Sequence, residues 1–177
     1  WTTLADWLDR LPAEVLGREV DLGLTRARLA SKLGSGQECV SRLDTLEEHP
    51  LQPEQQVRAA LYRGVALRGM GHLVDALDAG RRARTLAMEH LDEGDPLYAE
   101  LDLEEGITLG RSGQFTPARD RFVSAVRRFE EIRDDHRTAE AHDSLGITLY
   151  HLGSLADSMS EFTTAQRRWR MLAEPQA

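Results

Sequence analysis

A chain of 177 residues with six prolines, 6% aromatic and 29% charged residues is long enough for a substantial core and suits an exposed helical array. Its net charge of −8 excludes wrapping nucleic acid through a general basic surface. The single cysteine, Cys39, forbids an intramolecular disulfide and fits a reducing, cytoplasmic setting; no apolar run reaches membrane-spanning length and no signal peptide is visible. A start at Trp1 rather than methionine leads to the expectation of an excised fragment.

In chain order, Trp1, Leu4, Ala5, Leu8 and Leu11 follow helical spacing, Pro12 opens a short helix over 13–16, and Gly17 breaks it. Residues 1–18 are therefore read as a helical lead-in. A hairpin over 19–33 and 37–48 follows, and then a linker at 49–53, whose two prolines cannot share one helix interior. The second hairpin is expected over 54–70 and 73–91. Asp95-Pro96 then reads as a capping carboxylate followed by proline at the first helical position, and Thr116-Pro117 as the same device for the next helix. A fourth hairpin is expected over 138–152 and 155–172, and the tail 174–177 reads as the opening of another.

One set of spacings recurs through these hairpins. Gly106 is followed by Gly113, Ala118, Phe122 and Ala125 at fixed offsets, and Gly64 by Gly71, Ala76, Gly80 and Ala83. Gly146 is followed by Gly153, Ser158, Phe162 and Ala165, and a fainter copy runs Ala27, Gly34, Cys39, Leu43, Leu46. The starts lie 37, 42 and 40 residues apart, which is the scale of a solenoid. Gly113 is the expected turn. Gly106 and Ala118 are expected where two helices cross, with Phe115 and Phe122 in the wedge beside them. Cys39 fills a small-residue slot and reads as core.

This pattern resembles the tetratricopeptide repeat. The resemblance implies an all-α fold: a right-handed superhelical array of about four TPR-like hairpins, over 19–177 and in repeats near 19–49, 54–93, 95–134 and 136–173. Asp6-Trp-Leu-Asp-Arg-Leu-Pro-Ala-Glu-Val-Leu, followed by 22–33 and Gly34, is similar to the segment opening the repeat array of MalT-like bacterial transcriptional regulators. Gly146-Ile-Thr-Leu-Tyr-His-Leu-Gly and Arg167-Arg-Trp-Arg-Met-Leu resemble later repeats of such proteins. That likeness implies a sensor or regulatory module in signal transduction, receiving a partner protein or a small-molecule inducer. The alternative is a scaffold that binds a peptide or helix with no link to transcription.

Catalytic chemistry finds no foothold. Gly69-Met-Gly71-His-Leu-Val74 imitates a dinucleotide fingerprint, but it lacks the third glycine and joins two helices. No phosphate-binding Gly-x-x-x-x-Gly-Lys-Ser/Thr loop is present. His136, His142 and His151 lack the one-face spacing of a helical zinc pair and read as surface or edge histidines. Glu104-Glu105 and Asp134-Asp135 read as solvated faces. The expectation is a module that is not an enzyme and has no cofactor, no metal, no nucleic-acid contact and no membrane contact of its own.

The candidate site is a groove, because in tetratricopeptide arrays the first helix of each hairpin lines the concave surface. Val65, Ile107 and Ile147 each follow the repeat glycine and form an apolar row. Arg68, Arg111, Tyr150 and His151 follow as walls, with Arg28 and Lys32 from the first repeat. Such a groove suits a peptide or an anionic ligand; the row's other available role is to pack successive hairpins. The lysine and asparagine set of carboxylate-clamping chaperone-binding domains is not recognisable. Trp169 and Leu172 are expected to face outward and drive self-association through the last helix; the alternative folds Trp169 back beside Phe162.

Overall fold

The computed structural model describes Thr3, Arg10 and residues 19–173, and the expected lead-in and the tail at 174–177 lie outside the described residues. The described segments form α-helices and no strand. The chain divides into two compact units, Trp1–Glu93 and Gly94–Ala177. The first holds α1 (Val20–Lys32), α2 (Gly36–Glu47), α3 (Pro53–Gly69) and α4 (Leu73–His90). The second holds α5 (Leu97–Arg111), α6 (Phe115–Glu131), α7 (Asp135–His151) and α8 (Leu155–Ala173). Consecutive helices pair as hairpins, and α2 and α6 each also pack on the first helix of the next hairpin in their own unit.

The turns explain why the glycine spacing is so regular. Gly34, Gly71, Gly113 and Gly153 have φ of 83°, 86°, 78° and 80°, the left-handed region that side chains resist. After each glycine, the next backbone N–H reaches back five residues: Ser35 to Ala30, His72 to Leu67, Gln114 to Leu109 and Ser154 to Leu149, at 2.8 to 2.9 Å. These bonds satisfy carbonyls that the helix end leaves open. The same closure joins α6 to α7, where Asp134 N–H donates to the Phe129 carbonyl at 3.0 Å. The residue at φ 56° there is Arg133, not glycine.

Helix starts follow local chemistry, with two departures from expectation. Pro53 opens α3, and the Gln52 backbone N–H donates to Gln55 Oε1 at 3.0 Å. Asp95 accepts from the Leu97 N–H at 2.8 Å, as a capping carboxylate should. Thr116-Pro117 is not such a device: α6 already begins at Phe115 after Gln114, so Pro117 sits inside the first turn, where its missing N–H costs nothing. Helix α7 starts at Asp135, earlier than 138, because Asp134 caps it by accepting from the Arg137 N–H at 3.0 Å.

The crossings use the expected small residues. A Cβ on Gly106 would lie 2.7 Å from the Phe122 ring, and one on Gly146 would lie 2.9 Å from Phe162. Ala118, Phe122 and Ala125 are all buried, one face of α6 as spaced. Ser158 fills the corresponding slot of α8 and donates to the Gly146 carbonyl at 2.8 Å, which satisfies its hydroxyl without solvent. In the first hairpin Ala27 takes the glycine's place, and at Gly23, one turn earlier, an added Cβ would lie 2.7 Å from the Leu46 side chain. Cys39 is fully buried and its thiol points to the Tyr62 carbonyl at 3.8 Å. Burial pushes that thiol up to about 11, the behaviour of a core residue.

Expectations about charge and rings are corrected at Glu104, Glu105, Asp134 and Phe115. Glu104 is buried and Glu105 pairs with Arg121 at 3.3 Å, so this pair is not a solvated face. The Glu105 side of α5 faces α6, which also brings Arg128 within 3.2 Å of buried Asp102. Asp134 is a half-buried cap, whereas Asp135 is solvated as expected and pairs with Arg168 of α8 at 3.1 Å. Phe115 leaves the Gly106 crossing to Phe122 alone and stacks instead on His151 of α7, with centroids 4.5 Å apart and planes at 8°.

Candidate functional site: the cleft between α5 and α7

Helices α5 and α7 both pack on α6, and between them opens a cleft of about 280 Å³. Ile107, Gly110 and Arg111 of α5 form one side, and Ser144, Ile147, Thr148 and His151 of α7 the other. Phe115 and Phe122 of α6 complete the lining. The backbone geometry already given accounts for each position. The Gly106–Phe122 crossing fixes Ile107 one residue beyond the contact, and Gly113 and Gly153 end α5 and α7 just after Arg111 and His151.

The cleft is carbon below and polar at its edge. Ile107 and Phe115 are half-buried and Ile147 is 53% exposed, so the apolar lining is open to an incoming group. His151 is held by its stack on Phe115 and by an edge contact from Tyr150, with centroids 5.8 Å apart. Thr148 donates to the Ser144 carbonyl at 2.9 Å and is thereby satisfied. Arg111 is exposed and makes no ion pair among the described residues. An apolar floor beside an uncommitted guanidinium is a binding arrangement: it can seat a side chain and hold an anion.

The expected groove residues fare unequally. Ile107, Arg111, Ile147 and His151 meet in this cleft, and Tyr150 stands beside it against His151. In the first unit, Val65 is half-buried and Lys32 exposed. Arg28 lies over the Tyr62 ring at 5.6 Å. Arg68 is only 8% exposed, a buried side chain and not a wall. Sequence reasoning missed Gly110, Ser144, Thr148 and the role of Phe115. The signal for Gly110 was present: four residues after the repeat glycine stand Arg68, Gly110 and Tyr150, so the third repeat has a gap where its neighbours carry a large side chain.

The remaining chemical candidates are dispersed. Gly69 to Val74 forms a turn between two helices, without the strand a dinucleotide fingerprint needs. His142 is buried, not an edge histidine: its Nδ1 lies 2.6 Å from Glu161 Oε2, tying α7 to α8. Trp169 turns inward. Its Nε1 donates to Asp143 Oδ2 at 2.7 Å and its ring meets His136 edge-on at 4.9 Å, so it folds back onto its own hairpin, against α7. No group of three or more histidine, cysteine or acidic side chains converges among the described residues. No described helix is long and apolar enough to cross a membrane.

No protein-family model matches the chain, and no curated protein does. Solved structures do. BtubC (BKLC) from P. vanneervenii shares the fold at a TM-score of 0.75 and 17% identity, over 92% of this chain and 66% of that one. A structure of MamA gives 0.63 at 18% identity, over 91% and 86%. A putative kinesin light chain from Podosopora anserina with nearly identical TPR-like repeats gives 0.61 at 14% identity, over 88% and 77%. This chain thus spans just under two thirds of the BtubC chain. These likenesses establish an all-helical, TPR-like repeat fold.

Proposed function

We propose that this chain is a non-catalytic interaction module that seats a peptide in the α5–α7 cleft. One bulky apolar side chain enters between Ile107, Phe115 and Ile147, and a neighbouring carboxylate meets Arg111. The observation that carries this reading is the open apolar lining beside an arginine without an ion pair among the described residues. Size favours a peptide over a free inducer, since pockets for drug-sized ligands start at about 300 Å³ and bury most of the ligand. The proposed setting is cytoplasmic, in keeping with a buried free thiol.

The test is a displayed-peptide selection against the 177-residue chain. Selected peptides should pair a large apolar residue with Asp or Glu. They should lose at least tenfold in affinity against Gly110→Leu, which fills the gap, and against Arg111→Glu, which reverses the edge charge. Circular dichroism checks that both variants keep their helices. Peptides that bind both variants as well as wild type place the site elsewhere. The narrower reading, a sensor region of a MalT-like regulator, draws on the 6–16 segment and the Gly146 and Arg167 patterns. Its test is the parent reading frame, with a nucleotide-binding domain before residue 1 and a helix-turn-helix after residue 177.

A further inference from the structure

The cleft has a second basic group, and its place follows from the repeat. Five residues after Gly106 stands Arg111, and five after Gly146 stands His151, so one slot in consecutive repeats puts both at the same end of the cleft. Each lies in the last turn of its helix, where the carbonyl end of the helix dipole receives positive charge. The His151 ring is held by ring contacts alone, stacked on Phe115 and met edge-on by Tyr150. Among the described residues its nitrogens have no hydrogen bond or ion pair, so they are left for an incoming group.

A positive charge on His151 meets opposing neighbours. The face of the Phe115 ring attracts it, whereas Arg111, across the cleft on α5, repels it. No carboxylate lines the cleft. On α6 the next charged group after Phe115, Arg119, is held by Asp120 at 2.8 Å, and on α8 the first acid, Asp157, is exposed and outside the lining. A carboxylate bound between the two cations offsets their repulsion, and in the imidazolium both ring nitrogens donate. On the reading of this cleft as the peptide site, we propose that Arg111 and His151 grip one carboxylate of the peptide together. The cleft then holds acidic peptides more tightly as pH falls from 8 to 5.5, the range in which histidine gains its proton.

Ile107 and Arg111 are one turn apart, about 6 Å along α5, and alternate side chains of an extended peptide are spaced about 6.8 Å. The probe is therefore acetyl-Phe-Ala-Glu-amide, whose one carboxylate stays largely ionised at pH 5.5, with acetyl-Phe-Ala-Gln-amide as its neutral control. Isoleucine ¹³C-methyl labelling of the 177-residue chain gives three signals: Ile107 and Ile147 in the cleft, and Ile132 at the α6–α7 turn. The glutamate peptide should move the first two and leave Ile132 in place. It should bind about threefold or more tighter at pH 5.5 than at pH 8. The glutamine peptide on wild type should give a ratio near one, as should the glutamate peptide on His151→Gln, checked for retained helix by circular dichroism. A wild-type ratio of one, or a ratio that survives His151→Gln, overturns the proposal and leaves the cleft standing. Failure of both peptides to move Ile107 or Ile147 at millimolar concentration removes the cleft reading, and this proposal with it.

Discussion

The two units build one hairpin spacing out of different materials. In the first unit the repeat positions are lined by small groups: Ala27, Cys39 and a Gly64 whose added Cβ would meet the Ala76 carbonyl oxygen at 3.3 Å and Ala79 at 3.5 Å. In the second, each crossing glycine backs directly onto a phenylalanine ring, Gly106 on Phe122 and Gly146 on Phe162. The second unit also buries charge, with Asp102 between Arg121 and Arg128. Burial works against Arg137, but Glu100, Glu140, Glu104 and Asp134 outweigh it and hold its guanidinium above the ordinary value. A repeat spacing therefore specifies where backbones approach, while the wedge that fills the approach is free to vary. The ring-filled version has the α5–α7 cleft at its edge, where Phe122 serves as both wedge and lining.

The largest break in this contrast should come from bulk at the ring-filled crossing. Gly106→Arg and Ala118→Phe should each cost about 3 kcal/mol or more, since neither the Phe122 ring nor the α5 backbone can yield. Gly106→Ala should cost about 1 kcal/mol despite its better helix propensity, whereas Gly64→Ala should stay within about 0.5 kcal/mol of wild type. Thermal unfolding of the four variants measures it. Equal losses for the two alanine variants would erase the distinction between the units.

A middle-sized effect isolates the small-group crossing by pH. The Cys39 thiol, ordinarily 9.0, is raised to about 11 by burial, against a lowering contribution from Arg63. A raised acid favours the fold fully below pH 9.0. Above that the unfolded thiol ionises first, so stability falls as pH climbs toward 11. Urea unfolding of wild type should lose stability across this window more steeply than Cys39→Ala. Parallel curves would mean the thiol is not shielded in the fold.

The smallest effect lies at the α6–α7 turn, where Arg133 occupies φ 56°. Arg133→Gly relieves the left-handed strain and loses part of the gain to chain entropy, leaving a net stabilisation of about 0.5 kcal/mol. The change should appear as a higher urea midpoint with an unaltered m-value.

What the sequence made legible was local. Glycine and small-residue spacing located the turns and crossings because each depends on contacts within one hairpin. Ile107, Arg111, Ile147 and His151 were legible for the same reason, being fixed offsets from those glycines. What escaped depends on which side chains meet across helices, which spacing along one helix does not encode. Glu104 reads as solvated until the packed helices bury it near Arg137 of α7, His142 as an edge residue until Glu161 arrives from α8, and Phe115 as a wedge until His151 stacks on it. Trp169 has an outward and an inward reading on helical spacing alone. Asp143, twenty-six residues away, decides for the inward one.

The four turn glycines carry one more consequence. Around Gly34, Gly71, Gly113 and Gly153 an added Cβ would meet nothing within 4 Å, so what keeps an ordinary side chain out is handedness, not room. A residue of mirror-image chirality prefers just that backbone region. These four points are therefore where a semisynthetic chain would accept D-alanine, each hairpin gaining rigidity from a building block the ribosome does not use.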